Sequence, residues 1–252
     1  VIGSDVSFSD CDFEGNEAGL GGALSLRRPS TVDIQGSRFI NNLSCSHGAA
    51  VHMYGCSPTV SDCLFTGNAP YKGGTVWGEY SSPLLSYCTF WDNKGNYTDD
   101  TGHDMELYHT DIGDAVIENC TFCGWRMNSR EGVTLLRFGD CEPLIERCII
   151  AFFNNGAGIA CTDSGQPTIR ECVVFGNVDG DAVCGDDPYN NLHEDPLFCG
   201  FWTGDLTLCT NSPCLPDANS WHTQIGAHGA GCGDCDTPVE EISWGTIKAM
   251  FR

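Results

Sequence analysis

The sequence predicts an all-β solenoid of about seven to eight coils, with a cysteine-rich C-terminal segment and a short tail. Three observations predict it. A short motif recurs along most of the chain, the apolar clusters are too brief for helices, and turn-forming residues separate them. The motif runs "CDFEGN" at Cys11, "SRFINN" at Ser37, "CLFTGN" at Cys63 and "CTFWDN" at Cys88. It continues as "CTFCGW" at Cys120, "CIIAFFN" at Cys148 and "CVVFGN" at Cys172, with spacings of 26, 26, 25, 32, 28 and 24 residues.

Each part of the unit has a physical task. A β-branched or Leu pair leads it, as in Val32/Ile34, Leu84/Leu85, Val116/Ile117 and Leu144/Ile145. Clusters of three to six such residues with period-two alternation read as short strands. An Asn follows five residues after the anchor at Asn16, Asn42, Asn68, Asn93 and Asn177. Asn tolerates a left-handed backbone, and its amide can bond the Asn one coil away. A glycine step then returns the chain to a strand: "GGALSL" at Gly21, "GAAVHM" at Gly48, "GGTVWG" at Gly73, "GVTLL" at Gly132 and "GAGIAC" at Gly156. One coil cannot bury its own inner face, but stacked coils can. Like residues then fall into columns: a Cys/Ser anchor column, a Phe column (Phe13, Phe39, Phe65, Phe90, Phe122) and an Asn column. The apolar columns hold the stack, at about 1.5–3 kcal/mol per buried large side chain, against about 1 kcal/mol for each Asn bond.

These units resemble the repeats of polymorphic outer-membrane proteins and related secreted bacterial proteins. The resemblance implies a single-stranded right-handed parallel β-helix over residues 1–187. Residues 188–235, "DPLF…GDLTL…SPC…IGA", resemble the closing coil of such proteins, and residues 236–252 form a tail. The tail's "WGTIK" is similar to a "WG-x-IK" ending on some secreted bacterial proteins, which implies a docking or assembly segment. Thr237, Pro238 and Glu240 fit a helix start, whereas Ile242, Trp244, Thr246 and Lys248 fit a strand.

Composition narrows the function. Twelve Lys and Arg stand against 34 Asp and Glu, a formal net charge of −22. Nucleic acid and anionic membranes would be repelled. No apolar run has the length of a membrane span. No leader-type segment opens the sequence, which predicts a cytosolic or already processed chain. Seventeen cysteines without paired zinc-ribbon spacing favour a secreted or cell-surface, extracellular protein that is partly disulfide-bonded. The candidates for bonding are Cys161, Cys184, Cys199, Cys209, Cys214, Cys232 and Cys235. The odd total leaves at least one thiol outside any intramolecular pair.

Catalytic signals are weak. The insert Asn93–His109 crowds Asp99, Asp100, His103 and Asp104. "GHD" resembles the "GHG" of polygalacturonases, but their companion "NTD" and "RIK" motifs are missing. Arginines are too scattered for a lyase base. No catalytic residue and no certain cofactor are predicted; Asp99, Asp100 and Asp104 are candidate calcium ligands. A second acidic run, Asp179, Asp181, Asp186 and Asp187, lacks EF-hand spacing and reads as turns. The histidines His47, His52, His193, His222 and His228 read as surface residues or turn donors. Of three sequons, Asn96 in the insert is the glycosylation candidate, because Asn42 falls in the Asn column and Asn119 in a strand.

Val1 and Ile2 already read as a coil strand, which predicts an uncapped first face. The tail residues Trp244, Ile247, Met250 and Phe251 could cover the next copy. Head-to-tail contact of that kind does not close and builds filaments. The leading expectation is therefore a non-enzymatic structural protein that partners itself in an extracellular filament or surface layer. The rivals are a polysaccharide lyase or hydrolase, and a monomeric adhesin that binds a glycan.

Overall fold

The computed structural model describes residues 5–27, 31–94, 103–108, 115–124, 136–153, 156–162, 164–184, 187 and 189–235. The expectations for Val1, Ile2, Asn96, Asp99, Asp100, Trp244, Ile247, Met250 and Phe251 lie outside those residues.

The chain is a parallel β-helix with three faces. The first face stacks Val6–Ser9, Val32–Gln35, Thr59–Ser61, Leu84–Ser86, Val116–Glu118, Leu144–Glu146 and Thr168–Arg170. The second stacks Asp12–Glu14, Arg38–Ile40, Leu64–Thr66, Thr89–Trp91, Thr121–Cys123, Ile149–Ala151 and Val173–Phe175. The third stacks Leu24–Arg27, Val51–Tyr54, Gly74–Glu79, His103–Tyr108, Leu136–Gly139 and Ile159–Thr162. All of these pairings are parallel, and Phe13, Phe39, Phe65, Phe90 and Phe122 stand directly in register. Their rings stack at centroid distances of 4.8, 4.8, 4.5 and 4.7 Å. Ile34, Val60, Leu85, Ile117, Ile145 and Ile169 form the matching column of the first face, all buried.

Strands are short because each corner needs one left-handed residue. Before the anchor these are Asp10, Gly36, Asp62, Tyr87, Asn119, Arg147 and Glu171, with φ between 49° and 57°. Tyr, Arg and Glu are poor choices there, at roughly 1–2 kcal/mol apiece. The stacked coils on either side hold them in place. Asn119 is therefore a corner residue, not a strand residue, since the preceding strand ends at Glu118.

Columns of polar side chains pin the corners. Backbone N–H groups of four anchors donate to the next anchor's side chain: Cys11 to Ser37 Oγ at 3.1 Å, then Cys88 to Cys120, Cys120 to Cys148 and Cys148 to Cys172, each at 3.4 Å. Burial holds the Cys120 and Cys172 thiols well above the ordinary range, so they stay protonated. In the second column, Asn16, Asn42 and Asn68 each donate through the backbone and the side-chain amide to the next Asn Oδ1, at 2.9–3.0 Å. Aspartates finish both columns. Asn93 Nδ2 donates to Asp104, Asn177 donates to Asp181, and Asn191, which follows Cys172 in the anchor column, donates to Asp187. A carboxylate only accepts, so it can end a run of donors without leaving one over. This gives Asp181 and Asp187 a structural role within the second acidic run.

The cysteine-rich segment is stapled, as expected; its start continues the second face, where Leu192 bridges Val173 in parallel, and its later part forms a small sheet of its own. Phe198–Gly200 pairs antiparallel with Asp205–Cys209, which pairs parallel with Ala230–Cys232. This small sheet and the following loop lie along the outer side of the second face. Leu208, Cys214 and Ile225 pack on Ile149, Ala151 and Val173. Thr89 Oγ1 bonds His228 at 2.8 Å, Asn119 Nδ2 donates to Gln224 O at 2.8 Å, and Gly226 N donates to Arg147 O at 2.8 Å. The physical reason is visible in Ile149–Ala151, which is buried on both sides rather than alternating. Its outer apolar side chains need a cover, and the segment supplies it.

Candidate functional site

The disulfides fall within the predicted set. Cys161 pairs with Cys184, Cys199 with Cys232 and Cys209 with Cys235. Cys214 differs from expectation. It is a fully buried thiol in the small outer core, accepts no disulfide partner, and is pushed up to about 12 by burial. It packs there as a small apolar residue.

Asp104 is the one calcium candidate within the described residues. It is the second residue of the strand His103–Tyr108, is 5% exposed, and receives Asn93 Nδ2 at 2.9 Å on Oδ1. Its Oδ2 has no hydrogen-bond partner. Burial raises its carboxyl to about 7, opposed by the Asn93 bond and reinforced by Asp92. Among the described residues it joins no group of three metal-ligating side chains.

The third face carries the most concentrated chemistry. The inward columns of this face stay apolar from floor to floor, whereas the outward column changes chemistry at every floor. His52, Trp77, Glu106 and Arg137 stand directly over one another in register. His52 stacks on Trp77 at 4.9 Å and 15°, and His47 tilts against the same indole at 4.6 Å. Arg137 Nη1 lies 3.4 Å from Glu106 Oε1. Ser46 Oγ is hydrogen-bonded to His47 Nδ1 at 2.8 Å. Gly73, at φ 64°, makes this convergence possible: a Cβ there would meet Trp77 Cδ1 at 2.7 Å, His47 Cδ2 at 2.8 Å and Glu106 Oε2 at 3.0 Å. In the recurrent glycine step the first residue, at Gly21, Gly48 and Gly73, is held to glycine by a left-handed backbone and by space.

Burial sets the protonation of this cluster. His52 is pulled down to about 4, mainly by desolvation and then by Arg27 and His47. His47 is lowered by burial and by Lys72. Both rings are neutral at neutral pH. Glu106 is raised to about 7 by burial, against the pull of Arg137. His52 and Glu106 are therefore core-like groups and not the surface residues that sequence alone suggests for His52; their exposures are 3% and 4%. A carboxyl that titrates near neutrality beside an indole and an arginine can exchange a proton with a bound group. Sequence reasoning missed this cluster because its members share one register position but differ in residue type, so no motif marks them.

The geometry defines a β-solenoid stabilised by coil-to-coil columns, with a side-docked, disulfide-stapled segment. The chain belongs to the right-handed β-helix family: the family description "Right handed beta helix region" matches residues 1–195. No curated protein and no solved structure matches the chain. No helix among the described residues is long and apolar enough to cross a membrane.

Proposed function

We propose that the protein is a secreted structural protein that assembles end to end into an extracellular filament or surface layer. The observation that carries the reading is the end of the stack at the last coil. Ile159–Thr162 and Thr168–Arg170 are the outermost strands of their sheets among the described residues. Between them, residues 179–184 and Tyr189 opens a hollow of about 730 Å³, lined by Ile159, Ile169, Val183, Tyr189 and the Cys161–Cys184 disulfide. Strand edges with an apolar hollow between them suit a parallel strand layer from a second copy. Val6, Phe8 and Phe13, partly buried against the core at the opposite end, are of matching character. A contact between unlike ends propagates. Electron microscopy and sedimentation of the purified chain test this: fibres or concentration-dependent growth are expected, and single rods at every concentration overturn it.

A second reading rests on the Trp77–Glu106–Arg137 column, with Glu106 as the proton-transferring group of a polysaccharide lyase or hydrolase. Incubation with polygalacturonate and calcium tests it. Release of unsaturated or reducing ends that vanishes in Glu106→Gln would support it. Single rods without turnover would favour a glycan-binding adhesin.

A further inference from the structure

We propose that Cys199, Cys209, Cys232 and Cys235 form a second state of the C-terminal staple: when reduced, their four thiolates hold one zinc ion tetrahedrally. The sulfurs of Cys199, Cys209 and Cys232 all lie within 4.8 Å of one another. Cys209 and Cys232 belong to different disulfides, yet their sulfurs are 3.6 Å apart. Zinc–sulfur bonds of about 2.3 Å place neighbouring ligands about 3.8 Å apart on a tetrahedron. One sulfur of each disulfide, Cys209 and Cys232, therefore already sits near ligand spacing, and reduction frees Cys199 and Cys235 to swing out to the other two positions. Cys235 joins through its bond to Cys209 and closes a C-x-x-C unit with Cys232.

The backbone that presents these sulfurs has supports other than the disulfides. Cys199, Cys209 and Cys232 lie on the three strands of the small sheet. Cys235 is fixed by a two-way bond with Asn211: its N–H donates to Oδ1 at 3.0 Å, and Nδ2 donates to its carbonyl at 2.9 Å. The segment as a whole is docked on the second face by His228, Gln224 and Gly226. Cys199, Cys232 and Cys235 are partly exposed, so a reductant and an ion can reach them.

The chemistry balances with a dithiol as reductant. Each S–S bond accepts two electrons and two protons, and the dithiol closes to its own disulfide. Zinc binding then releases the four thiol protons, and four Zn–S bonds replace the two S–S bonds. An oxidising setting leaves disulfides; a reducing one with zinc exchanges them for metal, and the staple persists in both.

The test uses the full chain, reduced under anaerobic conditions and titrated with Co²⁺ alone. One equivalent is expected to give thiolate charge-transfer absorption and tetrahedral d–d bands, displaced by Zn²⁺. C209S/C235S should lose these bands, and C161S/C184S should keep them. Reduced chain without stoichiometric bands, or bands that survive C209S/C235S, would overturn the proposal. Should C209S/C235S misfold, alkylation of the reduced parent decides: zinc must protect Cys199, Cys209, Cys232 and Cys235, and protection elsewhere or nowhere sinks the site.

Discussion

The coil stack and the C-terminal segment solve the same stability problem by different means. In the stack, neighbouring coils present like side chains, so Phe13, Phe39, Phe65, Phe90 and Phe122 stack ring on ring at 4.5–4.8 Å. Most cysteines there remain thiols. The segment Phe198–Cys235 has no repeat and a small core of Leu208, Cys214 and Ile225. It needs two disulfides and a side of the stack to lean on. A structure whose contacts repeat needs few covalent constraints, whereas a short irregular one borrows them.

Removing both staples should give the largest difference between the regions. They close loops of 33 and 26 residues in sequence separation, each constraint being worth about 3–4 kcal/mol in the chain-entropy picture. The quadruple variant C199S/C209S/C232S/C235S, read by hydrogen exchange, should lose protection in the segment while the coils keep theirs. Equal loss in both would show that the segment holds the stack, and not the reverse.

Within the stack, Phe65→Ala should cost about 3–5 kcal/mol in denaturant unfolding, because it opens a gap between Phe39 and Phe90. Asn68→Ala should cost less, about 1–3 kcal/mol. It strips the acceptor from Asn42 N and Nδ2 and the donor from Phe39 O. Should Asn68→Ala prove costlier than Phe65→Ala, the polar column and not the apolar one would be the main support.

The last expected effect is in pH. Burial raises Glu106 and Asp104 to about 7, above their unfolded values, so the folded state binds more protons between about pH 4 and 7. Stability contributed by the protonated carboxyls is present at low pH and falls as pH rises through 7. Thermal melts of the parent should decline over that window, and Glu106→Gln should flatten part of the decline. A parent profile that rises there would mean these carboxyls are ionised and fully paired.

How much of this was legible in the residues follows from the same contrast. The motif at Cys11 through Cys172 gave the columns, and the anchors, rings and amides stack where the spacing places them. Even the insert between Asn93 and Cys120 leaves the register intact, with Phe90 over Phe122. The aspartate ends of the columns were hidden, because Asp104, Asp181 and Asp187 stand where the period has broken. The His52–Trp77–Glu106–Arg137 column was hidden for another reason: its members share a register position but differ in residue type.

Sequence by itself determined the winding, since residues one period apart become neighbours and repetition is then a direct record of contact. Tertiary structure alone decided which cysteines pair, where the segment docks and which carboxyls are buried. Those contacts join positions as distant as Thr89 and His228, 139 residues apart. They depend on which outer surface is left apolar once the coils have stacked, and no periodic signal in the chain encodes that.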